Sequence, residues 1–251
     1  MNPDIEHARA RTQRIYARVA GILFLWLIIN VVVGALIFPS IPTRGSFTDT
    51  AERIRASEHL FRLQPASLVV EFLSAAVLAF ALFVTLKPVN SLLALLAMIF
   101  YLQDVFLGYV VQMCTFVTLH LYTSSQTVGA GTAPAQALVD LMRAIAGSTE
   151  NIGGICFGIG LLLFFYLFFK SSYIPRVLSA LDVSASVIWI VLYFARLIFP
   201  EQRAVFWLIC FPLMAIALVI TGVWLMLFAV KGKGCSDPLL VASAKTLKTE
   251  N

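Results

Sequence analysis

The chain has 251 residues, of which 60% are hydrophobic and 12% charged, against roughly 25% charged in ordinary soluble domains. That balance excludes a water-soluble globule of this size. Eighteen Lys and Arg against thirteen Asp and Glu leave a net charge of +5, and the basic excess flanks long apolar runs instead of lining one surface, which marks membrane topology and not a nucleic-acid footprint.

A spanning helix needs about 20 largely apolar residues, because each adds 1.5 Å across a hydrocarbon layer of roughly 30 Å. Six stretches meet this: Ala17 to Phe38, Pro65 to Leu86, Ser91 to Cys114 or beyond, Asn151 to Phe169, Val177 to Phe199, and Val205 to Val230. The fold class predicted is an all-α, polytopic transmembrane helical bundle of about six spans with short outer interfacial helices. The chain divides into a basic cytoplasmic segment (1–16), a six-span membrane domain (17–230) and a mobile cytoplasmic tail (231–251).

Arg9, Arg11, Arg14 and Arg18 precede the first span, and Lys231, Lys233, Lys245 and Lys248 follow the last, so both termini carry the cytoplasmic mark in a multi-pass protein of the cell inner membrane. Four arginines between Pro39 and Gln64 count against this orientation, and Asp49, Glu52 and Glu58 do little to offset them. The first apolar run exceeds a usual signal-peptide core and no A-x-A-like site follows it, so it is expected to stay as an anchor.

Phe47 to Leu63 opens with Asp49 three residues before Glu52, a capping-box-like start, and places Ala51, Ile54 and Phe61 on one flank. This predicts a short amphipathic helix at the outer interface, with Glu58 and Arg62 as an i,i+4 pair. Thr123 to Ala133 has the small, polar composition of a loop, whereas Pro134 to Ala146 starts with proline and spaces Leu138, Leu141, Met142 and Ile145 at helical period, predicting a second interfacial helix.

Polar and ionisable groups inside spans are costly unless they face a partner, a cavity or water. Ser67, Glu71, Ser74 and Ala75 share one face of the second span, and Asp104, Gly108, Gln112 and Thr115 share one of the third, with Gln103 adjacent. Glu71 lies about 9 Å below the outer surface at helical rise, and Asp104 stands about 20 Å above the cytoplasmic one, so the two carboxyls meet near one level. On neighbouring helices they could share a proton or coordinate a cation, or simply bond to neighbours as packing glue. Asp182, Ser186, Trp189, Tyr193 and Arg196 form a stripe that must face protein, and Arg196 has Glu150 near its level as a partner, or else snorkels to headgroups. Gly154 and Gly158 form a G-x-x-x-G pair suited to close helix packing within the bundle, and Pro212 predicts a kink.

Cys114, Cys156, Cys210 and Cys235 lack a C-x-x-C pair and read as small hydrophobes without a disulfide framework. No H-E-x-x-H, G-x-S-x-G, Walker or dinucleotide motif is present, so a zinc hydrolase would have to assemble His59, His120, Glu71 and Asp104 from separate helices. No catalytic residue, metal ligand or cofactor is assigned. The leading reading is a non-enzymatic protein that binds or transports a small solute, proton or cation through an outward-opening pocket of Glu71, Asp104, Gln112, Glu150 and Arg196, with membrane lipids as its surroundings and no nucleic acid as partner. The alternatives are a non-catalytic membrane scaffold or stress-linked accessory protein and, third, an intramembrane metal-dependent hydrolase.

The run ASEHLFRL (Ala56 to Leu63), LKPV (Leu86 to Val89) and YLFFKSSYIPRVLSAL (Tyr166 to Leu181) resemble, in order and placement, an uncharacterised and mainly bacterial membrane family, domain of unknown function 4386. The resemblance covers roughly residues 15 to 232 and implies a bacterial integral membrane protein of about six spans with no established activity. The positions matching its motifs are Glu58, Arg62, Pro175 and Arg176. The chain departs from the family pattern in the fifth span, where DVSASVIW stands in place of a glycine-rich, aromatic stretch.

Overall fold

The computed structural model describes residues 3–38, 41, 47–124, 132–199 and 203–228. Among these residues every regular element is an α-helix: α1 Pro3–Ile37, α2 Phe47–Ala56, α3 Glu58–Leu86, α4 Ser91–Thr123, α5 Thr132–Ser171, α6 Arg176–Ile198 and α7 Arg203–Phe228. Six of the seven, all but α2, are long and apolar enough to cross a membrane. The tail beyond Phe228 lies outside the described residues.

Consecutive spanning helices pack side by side from α1 through α3, α4, α5 and α6 to α7, and α7 returns to α1, so the six close into a ring. Their outward faces carry bare hydrophobes such as Leu92, Phe106, Met113, Val177 and Ile216. In water such a belt would drive aggregation; in a bilayer it meets acyl chains, while each helix satisfies its own backbone internally. The protein is a multi-pass membrane protein.

The ring has two unlike ends. The middle of α1 and the last turns of α7 touch, since a β-carbon built on Gly21 would lie 2.6 Å from the Gly222 carbonyl oxygen and 2.7 Å from the Met226 nitrogen. At this terminal face the Gln13 amide donates to the Thr85 carbonyl oxygen (2.7 Å) and to the Tyr173 hydroxyl (2.9 Å), tying α1 to the end of α3 and to the α5–α6 connection. The half of the bundle next to it is solid, filled by Leu78, Leu82, Leu86, Leu161, Phe164 and Phe168. The α3–α4 turn is fixed by Asn90, whose side chain accepts from the Leu93 N–H at 3.0 Å and so caps α4.

At the opposite face α4 and α5 run past the membrane. Forty residues of α5 make a rod of about 60 Å, twice the hydrocarbon thickness. Pro134 to Ala146 is helical as the periodicity predicts, but it is the start of α5 and not a separate interfacial helix. One glycine, Gly147, costs a helix only about 1 kcal/mol, too little to break a rod held along its length by α4.

The amphipathic stretch Phe47 to Leu63 divides instead. The chain turns at Ser57, which leaves α2 as the separate interfacial helix and puts Glu58 and Arg62 in the first turns of α3. The apolar flank of α2, with Ala51 and Ile54, joins Phe61, Leu119, Tyr122 and Val139 in a small second core, where Phe47 stacks on Tyr122 at 4.8 Å between centroids.

Four glycines of α5 set its distance from its neighbours. A β-carbon on Gly160 would fall 2.9 Å from the Tyr101 backbone nitrogen of α4, and one on Gly158 2.6 Å from the Ile190 side chain of α6. Gly153 makes room for the Asp104 carboxyl and Gly154 for the Tyr193 ring. The Gly154/Gly158 pair therefore serves packing within the bundle. Through Pro212, α7 continues as one helix.

Candidate functional site

In the half of the ring toward the opposite face the core opens into a cavity of about 540 Å³. All six spanning helices contribute to its wall: Phe24 and Ile28 from α1, Glu71 and Phe72 from α3, Tyr101 and Asp104 from α4, Gly153 and Phe157 from α5, Trp189 and Tyr193 from α6, and Phe211 and Met214 from α7. A second hollow of about 400 Å³ shares Gln64, Gln112 and Glu150 with it and continues between α4 and α5 to Thr118, Met142 and Arg143.

Of the pocket residues expected from the sequence, Glu71, Asp104, Gln112 and Glu150 line this cavity. Glu71 of α3 and Asp104 and Tyr101 of the neighbouring α4 all line this one cavity. Phe72 fixes the register: its ring lies over Gly108, where a β-carbon would come within 2.2 Å, and meets Tyr109 edge-on at 5.7 Å. Glu71 Oε2 is buried with no hydrogen-bond partner among the described residues.

Arg196 is not a lining residue. It is 2% exposed and holds the wall from behind, donating from Nη2 to Glu150 Oε1 at 3.0 Å with its guanidinium 4.6 Å from the Tyr193 ring centroid. Of the two readings of Arg196, pairing with Glu150 is what the structure contains. The whole stripe Asp182, Ser186, Trp189, Tyr193 and Arg196 is buried, as its spacing demanded.

Trp189 donates from its indole N–H to the Gly154 carbonyl oxygen at 2.9 Å and stacks on Tyr193 at 4.9 Å. Phe157 stands 5.4 Å from Trp189 and 5.4 Å from Tyr101, so an aromatic ladder runs from α4 through α5 to α6 along the cavity wall. Sequence reasoning missed Tyr101, Phe72 and Phe157. For Tyr101 a signal existed, because it precedes Asp104 by one helical turn and shares its face; in a helix apolar all round, nothing distinguishes a cavity phenylalanine from a lipid-facing one.

Asp182 belongs to a different place. It is fully buried between α6 and α7, accepts a 2.6 Å hydrogen bond from Thr221 Oγ1 and does not line the cavity. Gln103 is exposed on the lipid side, and Thr115 lines the second hollow while its hydroxyl donates to the Val111 carbonyl oxygen.

The motif residues also lie outside the cavity wall. Arg62 Nε donates to Glu58 Oε1 at 2.7 Å on the exposed start of α3. Pro175 sits at the N-cap of α6 and Arg176 begins that helix, both exposed, after Ser172 at φ 55° and the buried Ile174. Cys114 and Cys156 are buried free thiols.

His59, His120, Glu71 and Asp104 are not brought together: among the described residues no three His, Cys, Asp or Glu side chains converge to hold a metal ion. His59 and His120 project from the opposite end of the helices into the surroundings, so the ligand set that a zinc hydrolase would need is not formed by this packing.

A closed ring of six apolar helices around a polar, aromatic hollow defines a polytopic α-helical membrane protein with an internal cavity. The family model described as "Domain of unknown function (DUF4386)" matches residues 19–229, and the chain belongs to that family. No curated protein and no solved structure matches the chain.

Proposed function

We propose that this protein binds a small solute, proton or cation in the central cavity and passes it across the membrane, without catalysing a reaction. The observation that carries the reading is the position of Glu71 and Asp104, costly groups in a hydrocarbon layer, on the wall of one hollow with no basic side chain of the described residues pairing with either. Packing glue has a different signature: Asp182 is embraced by Thr221 in a site without a cavity. Ligand cavities of this kind fall in the range of about 300–1,000 Å³ and combine apolar walls with few polar groups. With both termini cytoplasmic in the cell inner membrane, the cavity opens outward.

The non-catalytic scaffold is the second reading, favoured by the glycine seams along α5 and by the Asp182–Thr221 bond, which tie the helices together with nothing between them. Single cysteines at Leu68 and Val111, both on the cavity wall, and at Leu82, in the solid half, separate the two on a background with the native cysteines replaced by alanine. In sealed vesicles a membrane-impermeant thiol reagent should label L68C and V111C from the side opposite the termini and leave L82C unlabelled. A cavity inert from both sides supports the scaffold.

A further inference from the structure

The ligand class can be narrowed from the wall itself. Three acids, Glu71, Asp104 and Glu150, line the cavity, and among the described residues no Lys, Arg or His does, Arg143 lining only the adjoining hollow. Arg196, from behind the wall, balances Glu150 alone. The site therefore offers carboxyl oxygens and no compensating basic group to a ligand, a setting that disfavours an anion and suits a cation, whose arrival stabilises the ionised carboxyls.

The part of the aromatic ladder formed by Tyr101, Phe157 and Trp189 is a second and independent observation, the Tyr193 ring being engaged by Arg196 and by Trp189 itself. Aromatic faces carry negative electrostatic potential and attract cations, most strongly when water is excluded, and cages of this kind recognise quaternary ammonium groups. A small hard metal ion needs six or more oxygens at about 2.0–2.6 Å, and no such cluster of acidic ligands exists among the described residues. Large, weakly hydrated cations need no dense oxygen shell, and the rest of the wall, including Leu27, Ile28, Leu68, Leu107 and Met214, would cover an apolar body.

We propose that the cavity takes an amphipathic organic cation: a quaternary or protonated amine, or a phosphonium, bearing aromatic or branched apolar groups. Its charge lies between Glu71 and Asp104 and its apolar body against the aromatic ladder. The proposal rests on reading the hollow as a solute-binding site.

The experiment uses the full-length protein in detergent micelles with tetraphenylphosphonium as probe, and triphenylphosphine oxide (neutral) and tetraphenylborate (anionic) as comparators, with micelle partition subtracted. Tetraphenylphosphonium should bind saturably and at least tenfold more tightly than either comparator. D104N and E71Q should each weaken it tenfold or more, F157L should weaken it without altering the charge, and E58Q, on the exposed start of α3, should leave it unchanged.

Should D104N or E71Q fail to fold, protection decides: tetraphenylphosphonium must slow labelling of V111C, and tetraphenylborate must not. Equal binding of the neutral comparator, unaltered by D104N and E71Q, overturns the cation class and leaves the solute-binding reading standing. An absence of binding with V111C still reactive likewise overturns only this proposal. An absence of binding with V111C inert overturns both.

Discussion

Arg196 reaches from α6 to Glu150 of α5 across 3.0 Å while its guanidinium lies 4.6 Å from the centroid of Tyr193, three residues earlier on the same helix. The pair fixes where α5 and α6 meet at the rim of the cavity. Burial of Arg196 makes Glu150, its one carboxylate partner among the described residues, structurally costly to remove, because the charge cannot return to water. E150Q should destabilise the protein by about 3 kcal/mol, and R196K should also lose stability, since an ammonium cannot both stack on the tyrosine and reach the carboxylate as the planar guanidinium does. Replacing the two together, as E150Q with R196M, should recover part of the loss. Reversible unfolding in mixed micelles measures all three, and equal stability of E150Q and the parent would show that the ion pair does not hold the rim.

Between α6 and α7 the Thr221 hydroxyl is, among the described residues, the only hydrogen-bond donor to the Asp182 side chain, whose Oδ1 is buried without a partner among them. T221V should therefore cost about 1–3 kcal/mol, the usual penalty of leaving a buried polar group unsatisfied. The double change D182A/T221V should cost less than the sum of its singles, because each single already loses the shared bond. Strict additivity in the same unfolding assay would refute the coupling.

Gly160 and Gly34 offer a matched contrast. At Gly160 a methyl would meet α4 backbone at 2.9 Å, whereas at Gly34 the nearest atom is the Phe38 side chain at 4.0 Å. G160A should destabilise by about 1–3 kcal/mol through overpacking, and G34A should be neutral or slightly stabilising, because alanine favours helix over glycine. Comparable melting of the two variants would mean that α5 and α4 do not approach as closely as described.

The Glu58–Arg62 pair is well formed yet exposed, with the side chains 38% and 47% accessible. Exposed i,i+4 pairs stabilise by only a few tenths of a kcal/mol. E58A and R62A should each shift stability by less than about 0.5 kcal/mol. A larger loss, unrepaired by charge reversal of both residues, would point to a contact with something other than each other.

Topology is testable without a ligand. With an even number of spans and basic clusters at both ends, reporters fused at Asn251 and near Gly129 should give opposite signals, cytoplasmic for the first and external for the second. Like signals at both positions would defeat the arrangement.

What could be read in the chain was whatever depends on one helix at a time. Apolar length fixed the six spans, because the backbone must satisfy itself within lipid, and 3.6-residue periodicity put Asp182, Ser186, Trp189, Tyr193 and Arg196 on one buried face. Rise arithmetic also pointed to Glu71 and Asp104 as candidates for one shared site, and both line the same cavity, since the Lys87 to Asn90 turn leaves two successive helices little freedom of register. What needed the tertiary structure was every property shared among helices. Only the closed ring places the Phe157 ring of α5 between Tyr101 of α4 and Trp189 of α6, turns Arg196 behind the wall while Glu150 stays on it, and gives Asp182 a partner in Thr221, thirty-nine residues away. The continuity of α5 was hidden for a related reason: polar residues at Gly147 to Glu150 look like the end of a span, but a helix packed along its whole length on α4 keeps going past the bilayer, because local propensity differences near 1 kcal/mol are small beside the packing that holds it.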